Sequence, residues 1–214
     1  MPSTSFRRAS TITSPIRSVK DLAEVERLRA ASAAVDRIAA RLQAGEIALV
    51  GKTEAEVSAE LSRQIIDEGH QRVNFAIVAA GENAASPHHH AGDRVIRSGE
   101  GVLCDFGGTM IGDDGIGYCS DVTRCVWTDG RPDREFLEAY AVLHEAQAEG
   151  VRSATVGTPA QDVDRATRRK IVAGGFGSYF IHRTGHGIGV EAHEDPYIVE
   201  GNTMPLKHGN AFSI

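Results

Sequence analysis

The chain has 214 residues, of which 41% are apolar and 24% charged, and its formal net charge is −6. That composition suits a globular chain with a sizeable core, and the acidic balance argues against a protein that tracks nucleic-acid phosphates. A run of about 18 apolar residues, which a membrane-crossing helix requires, is absent from the sequence.

Residues 1–17 are rich in Ser, Thr and Arg, contain no acid and lack the apolar block of a secretory signal. They read as a linker or the end of a missing N-terminal domain, with 18–214 as the domain proper. A first helix starts near Ser18, with Asp21 three residues on. Leu22, Val25, Leu28, Ala31, Val35, Ile38 and Leu42 give it one apolar stripe, and Gly45 stops it. Thr53 and Glu56 open a second helix that ends at Gly69. Val73–Ala80 reads as an extended run, followed by a loop over 81–93 that holds Pro87 and His88–His90. Val102–Phe106 and Gly117–Trp127 read as strands around a turn at Gly112–Gly115. Helices are expected over 133–149 and 160–173, and a strand at Tyr179–Ile181 leading into a Gly/His-rich loop.

The chain repeats itself. Gly51, Val57, Ile65, Ile66 and Gly69 recur without a gap as Gly157, Val163, Ile171, Val172 and Gly175. The expected fold class is therefore α+β, with duplicated helix-helix-strand halves, pseudo-two-fold symmetry and a site where the halves meet. Lys207–Ile214 reads as the apolar start of a strand, so a C-terminal truncation is expected. Laying Asn210 on Glu100 places the position after Ile214 opposite Asp105.

Three cysteines, Cys104, Cys119 and Cys125, have no Cys-x-x-Cys spacing and read as reduced thiols on buried strands of a cytoplasmic protein. Six of the nine histidines fall in two stretches, His88–His90 and His182–His193. Asp105 sits in an apolar strand before Gly107 and Gly108, and Asp121 sits in a second strand-like run. Two such acids on one face repel each other unless a cation lies between them. Local alternatives stay open: solvent exposure for Asp105, an Asp121–Arg124 ion pair, and a solvated His run. His186 lies between glycines, a setting that presents an imidazole for metal ligation, while His182 and His193 flank it for proton transfer or substrate orientation. Mixed oxygen and nitrogen donors suit Mn²⁺, Co²⁺ or Zn²⁺.

Thr184-Gly-His-Gly-Ile-Gly189 and His193-Glu-Asp-Pro196, with the Asp-Phe-Gly and Ser-Asp-Val-Thr-Arg segments, resemble the pita-bread metallopeptidases over about residues 18–214. That family includes methionine aminopeptidase, aminopeptidase P, Xaa-Pro dipeptidase and creatinase. The Asn83–His89 loop is similar to the Xaa-Pro branch. The resemblance implies a metal-dependent exopeptidase that cleaves before proline with a dinuclear metal-activated water. It implies Asp105, Asp121 and His186 as metal ligands, and catalytic or positioning roles for His88, His182 and His193. Two further glutamate ligands would lie beyond a segment like 211–214, so the chain by itself is expected to be a poor enzyme. The implied cofactor is a pair of divalent ions, manganese first, then cobalt or zinc. The implied partner is a peptide with proline second, with neither nucleic acid nor membrane, and with a homodimer as an open assembly. The alternatives are a methionine aminopeptidase, a creatinase-like hydrolase, or a catalytically inactive binding module of the same fold.

Overall fold

The computed structural model describes Phe6 and residues 8–214. Two capping boxes fix the early helices. Asp21 accepts the Glu24 amide while the Glu24 carboxylate accepts the Asp21 amide, starting α2 (Leu22–Gln43). The cap is thus Asp21–Glu24 rather than the expected Ser18–Asp21. Thr53 and Glu56 make the same reciprocal pair at α3 (Glu54–Asp67). Within the expected linker, Ser10–Arg17 forms a short helix, α1, with none of its residues buried. Its last turn is tied to distant acids: Arg17 reaches Glu191 and Glu194 at 2.9 and 2.7 Å, and the neighbouring Lys20 reaches Glu194 at 2.7 Å. Ile12 and Ile16, one turn apart, stay exposed, so ion pairs rather than burial hold this helix.

Strands β1 (Arg72–Ala80) and β2 (Gly101–Ile111) pair antiparallel, and β2 also pairs with β3 (Gly117–Cys119) and β4 (Val122–Trp127). The expected continuous strand over 117–127 is therefore broken at Ser120 and Asp121. Strand β2 runs beyond Phe106 because Gly107 lets the Ser120 carbonyl approach to where a Cβ would collide with it. Helices α2 and α3 cover this sheet. Val35, Ile38, Leu42, Val57, Leu61 and Ile65 pack with Val78, Val102, Cys104 and Phe106 to form the main core. All three cysteines are free thiols.

Helices α4 (Arg134–Ser153) and α5 (Ala160–Ala173) follow. A 3-10 turn at Gly177–Tyr179 replaces the strand expected at Tyr179–Ile181. Strand β5 (Gly185–Gly187) pairs antiparallel with β6 (Glu194–Ile198). On the other edge of β5, Phe212 bridges Gly187 and the Ser213 amide donates to the His186 carbonyl at 2.8 Å. Ala160, Val163, Ile198 and Leu206 form a smaller second core.

The two halves repeat one hydrogen-bond pattern. Gly51 donates to the Ile96 carbonyl as Gly157 does to Leu206, and Glu54 donates to Arg94 as Ala160 does to Met204. Helices α3 and α5 each have 14 residues and are followed by left-handed glycines, Gly69 and Gly175. The internal duplication read from the sequence is thus present in the backbone pairing. Among the described residues no helix is long and apolar enough to cross a membrane.

Candidate active site

A cleft of about 750 Å³ lies between the two sheets, and all six residues singled out from the sequence line it: His88, Asp105, Asp121, His182, His186 and His193. Asp105 projects from the middle of β2, half-buried, rather than from an exposed strand end. Thr123 on β4 donates its hydroxyl to Asp105 at 2.8 Å. Burial, then the nearby Asp121 charge, push the Asp105 carboxyl up to about 6.

Asp121 occupies the break between β3 and β4 and is also half-buried. Its local partner is not Arg124, which reaches Asp36 at 3.8 Å. Instead the His186 Nε2 lies 3.4 Å from its carboxylate. Strand β5 delivers that imidazole, and the flanking glycines are sterically required. A Cβ at Gly185 would collide with the Ser213 carbonyl, and one at Gly187 with the β6 backbone.

The His193 ring lies 4.0 Å from the His186 ring, centroid to centroid. Burial first, and then the charges of His186 and Arg183, hold the His193 pKa below the ordinary value. Across the cleft, His88 meets His182 edge-on at 6.1 Å. The histidine run thus divides by role. His88 faces the cleft, while His89 turns inward to the buried carboxylate of Glu54 at 2.7 Å.

Among the described residues, no group of three or more His, Cys, Asp or Glu side chains is arranged to hold a metal ion as placed. The donor chemistry nevertheless fits one. His186 Nδ1 is 3.1 Å from the Gly187 carbonyl, an arrangement that puts the proton on Nδ1 and turns the Nε2 lone pair toward Asp121. A lone pair facing a carboxylate at 3.4 Å needs a proton or a cation between them. Two carboxylates repelling within one cleft point the same way.

Sequence reasoning missed the residues that hold the cleft's loops. Glu54, 1% exposed, accepts the Ala80 amide at 2.8 Å, Asn83 at 2.9 Å and His89 at 2.7 Å, which fastens the loop that carries His88. Asp164, fully buried, accepts the Thr184 hydroxyl at 2.7 Å and pairs with Arg168. Arg168 in turn donates to the Phe180 and His182 carbonyls at 2.8 and 2.9 Å. In sequence, Glu54 looks like a first-turn acid and Asp164–Arg168 like a surface i,i+4 pair. Nothing local signals that their carboxylates are buried.

Residues 26–214 match the model of metallopeptidase family M24. The chain is 43% identical over 206 residues to the probable dipeptidase PepE of Mycobacterium bovis, covering 96% of this chain and 53% of that protein. It is 37% identical to the Xaa-Pro dipeptidase of Lactobacillus helveticus, covering 100% of this chain and 56% of that one. The solved prolidase from Thermococcus sibiricus superposes with a TM-score of 0.88 at 41% identity, covering 95% of this chain and 54% of that chain. The chain spans about half the length of the curated relatives it matches.

Proposed function

This chain belongs to metallopeptidase family M24, and from that premise we propose that it forms the cleft of a metal-dependent exopeptidase that hydrolyses the peptide bond before proline. The observation that carries the reading is the convergence of two carboxylates and four imidazoles, from separate segments, on one cleft. Similarity to a Xaa-Pro dipeptidase and to a prolidase supports the substrate class.

Asp105, Asp121 and His186 would hold a divalent ion, with manganese preferred over cobalt or zinc. Such an ion supplies a water of lowered pKa and polarises the scissile carbonyl. The remaining steps belong to this chain's own side chains. His193, beside His186, would donate an N–H to the substrate carbonyl oxygen and to the negative charge that develops there. His88 and His182, in T-shaped contact, would flank the peptide and hold the proton required by the departing nitrogen. Phe75, Ile77 and Leu103 give the cleft an apolar wall suited to a pyrrolidine ring.

Asp105 and Asp121 contribute two negative charges, enough to balance one divalent ion. A second ion needs carboxylates from outside these residues. The 214-residue chain by itself is therefore proposed to be a poor peptidase, and the whole protein a cytoplasmic dinuclear one. Parallel assays of a Xaa-Pro dipeptide and a Met-initiated peptide, with and without added Mn²⁺, test the reading. The expected result is slow, metal-dependent hydrolysis of the Xaa-Pro substrate. Preference for the Met-initiated peptide, or hydrolysis indifferent to metal, would contradict it.

A further inference from the structure

Directly behind Asp121 lies a buried polar contact that the proposed chemistry does not use. His70, 2% exposed, places its Nε2 atom 2.8 Å from the hydroxyl of Ser120, which is fully buried. The His70 Nδ1 is buried with no hydrogen bond of good geometry. The Ile65 carbonyl nevertheless acts on the ring as a hydrogen-bond acceptor, which puts the ring proton on Nδ1 and leaves Nε2 to accept the Ser120 hydroxyl. The Ser120 hydroxyl also accepts the Gly108 amide at 3.1 Å, and the Ser120 amide donates to the Gly108 carbonyl at 2.9 Å. Ser120 is thereby fixed to β2 at the point where the β3–β4 run breaks.

The double glycine after Asp105 makes room for this contact. A Cβ on Gly107 would collide with the Ser120 carbonyl, and one on Gly108 would come within 2.9 Å of the His70 ring. At the matching place in the second half, after the left-handed Gly175, the chain carries Phe176. Phe176 is half-buried beside Tyr179, so the second half has no counterpart of the buried imidazole.

We propose that His70 is a positioning residue: through Ser120 it holds the break between β3 and β4 that turns the Asp121 carboxylate into the cleft toward His186. The proposal rests on the reading of Asp121 and His186 as metal ligands. Loss of outer-shell support of this kind costs metal sites about 10–100-fold in affinity.

The test compares His70→Phe, His70→Gln and Ser120→Ala with the unaltered chain in three measurements: Co²⁺ affinity by calorimetry, thermal midpoint, and imidazole ¹⁵N shifts of His186 in metal-free protein. The expected result is a loss of Co²⁺ affinity of about tenfold or more in His70→Phe and Ser120→Ala. His70→Gln, which can still hydrogen-bond Ser120, should recover part of it. The thermal midpoint of His70→Gln should stay near that of the unaltered chain, and the His186 shifts should move in His70→Phe. Unchanged Co²⁺ affinity together with unchanged His186 shifts in His70→Phe would overturn the proposal. Should the unaltered chain bind no Co²⁺, the metal reading fails, and the His186 shifts alone still decide whether His70 positions Asp121.

Discussion

The Nε2 atom of His186 stands 3.4 Å from the Asp121 carboxylate, although Asp121 lies in the break between two strands of the first sheet and His186 on β5 of the second. One backbone hydrogen bond joins those sheets beside them: the Cys119 amide donates to the Gly189 carbonyl at 2.8 Å. The break after β3 and the glycine-rich turn after β5 are therefore parts of one device, and the cleft exists because both chain reversals face each other.

Glu54 links pH to the order of the cleft. Burial pushes its pKa up, but the Ala80 amide, Asn83 and His89 outweigh that and hold it below the ordinary value. A carboxylate with a lower pKa folded than unfolded stabilises the fold fully above its unfolded value, near 4.3, and loses that contribution as pH falls through the lower folded value. Glu54→Gln should therefore cost about 1–3 kcal/mol at pH 7, with the gap to the unaltered chain closing as pH drops below about 4. Urea denaturation of both chains at pH 7 and at acid pH measures this.

Asp164 should prove more costly to remove. It is fully buried, pairs with Arg168 and accepts both the amide and the hydroxyl of Thr184. Asp164→Ala leaves those donors unanswered and should destabilise the chain by about 2–4 kcal/mol, near the range seen when one partner of a buried pair is deleted. Hydrogen exchange should report the loss first in residues 180–187. Unaltered protection there would refute a role in holding the loop.

Gly107 and Gly185 are constrained by contact rather than by dihedral angle, since each lies against a backbone carbonyl that a methyl group would strike. Gly107→Ala and Gly185→Ala should each cost more than about 3 kcal/mol, placing them among the severe single substitutions. Thermal midpoints close to that of the unaltered chain would show that the strands can part without penalty.

Much of this was legible beforehand for physical reasons. Helices α2, α3 and α5 announce themselves through apolar periodicity and terminal glycines, and α3 through its reciprocal Thr53–Glu56 cap as well; the α2 cap lies three residues past the Ser18–Asp21 pair expected from the sequence. All six candidate site residues line one cleft, since glycine-flanked histidines and acids inside apolar strands stand out in a sequence. The strand break at Ser120–Asp121 was hidden, because its cause is Gly107 on another strand and the buried His70, and no local signal in Gly117–Trp127 records either. Helix α1 was hidden for a similar reason, being anchored by ion pairs to Glu191 and Glu194 at the far end of the chain. Tyr179–Ile181 has strand-like side chains, but Arg168 holds the Phe180 and His182 carbonyls in a turn instead.

The most direct test of the account is calorimetric titration of Mn²⁺ into the metal-stripped chain at pH 7.5, alongside the Asp121→Asn and His186→Ala variants. One saturable site is expected in the unaltered chain. Each variant should lose more affinity than the about 10–100-fold attributable to outer-shell residues, while circular dichroism stays unchanged. Absence of saturable binding, or binding equally tight in both variants, would contradict the assignment of Asp105, Asp121 and His186 as the metal-holding face of the cleft.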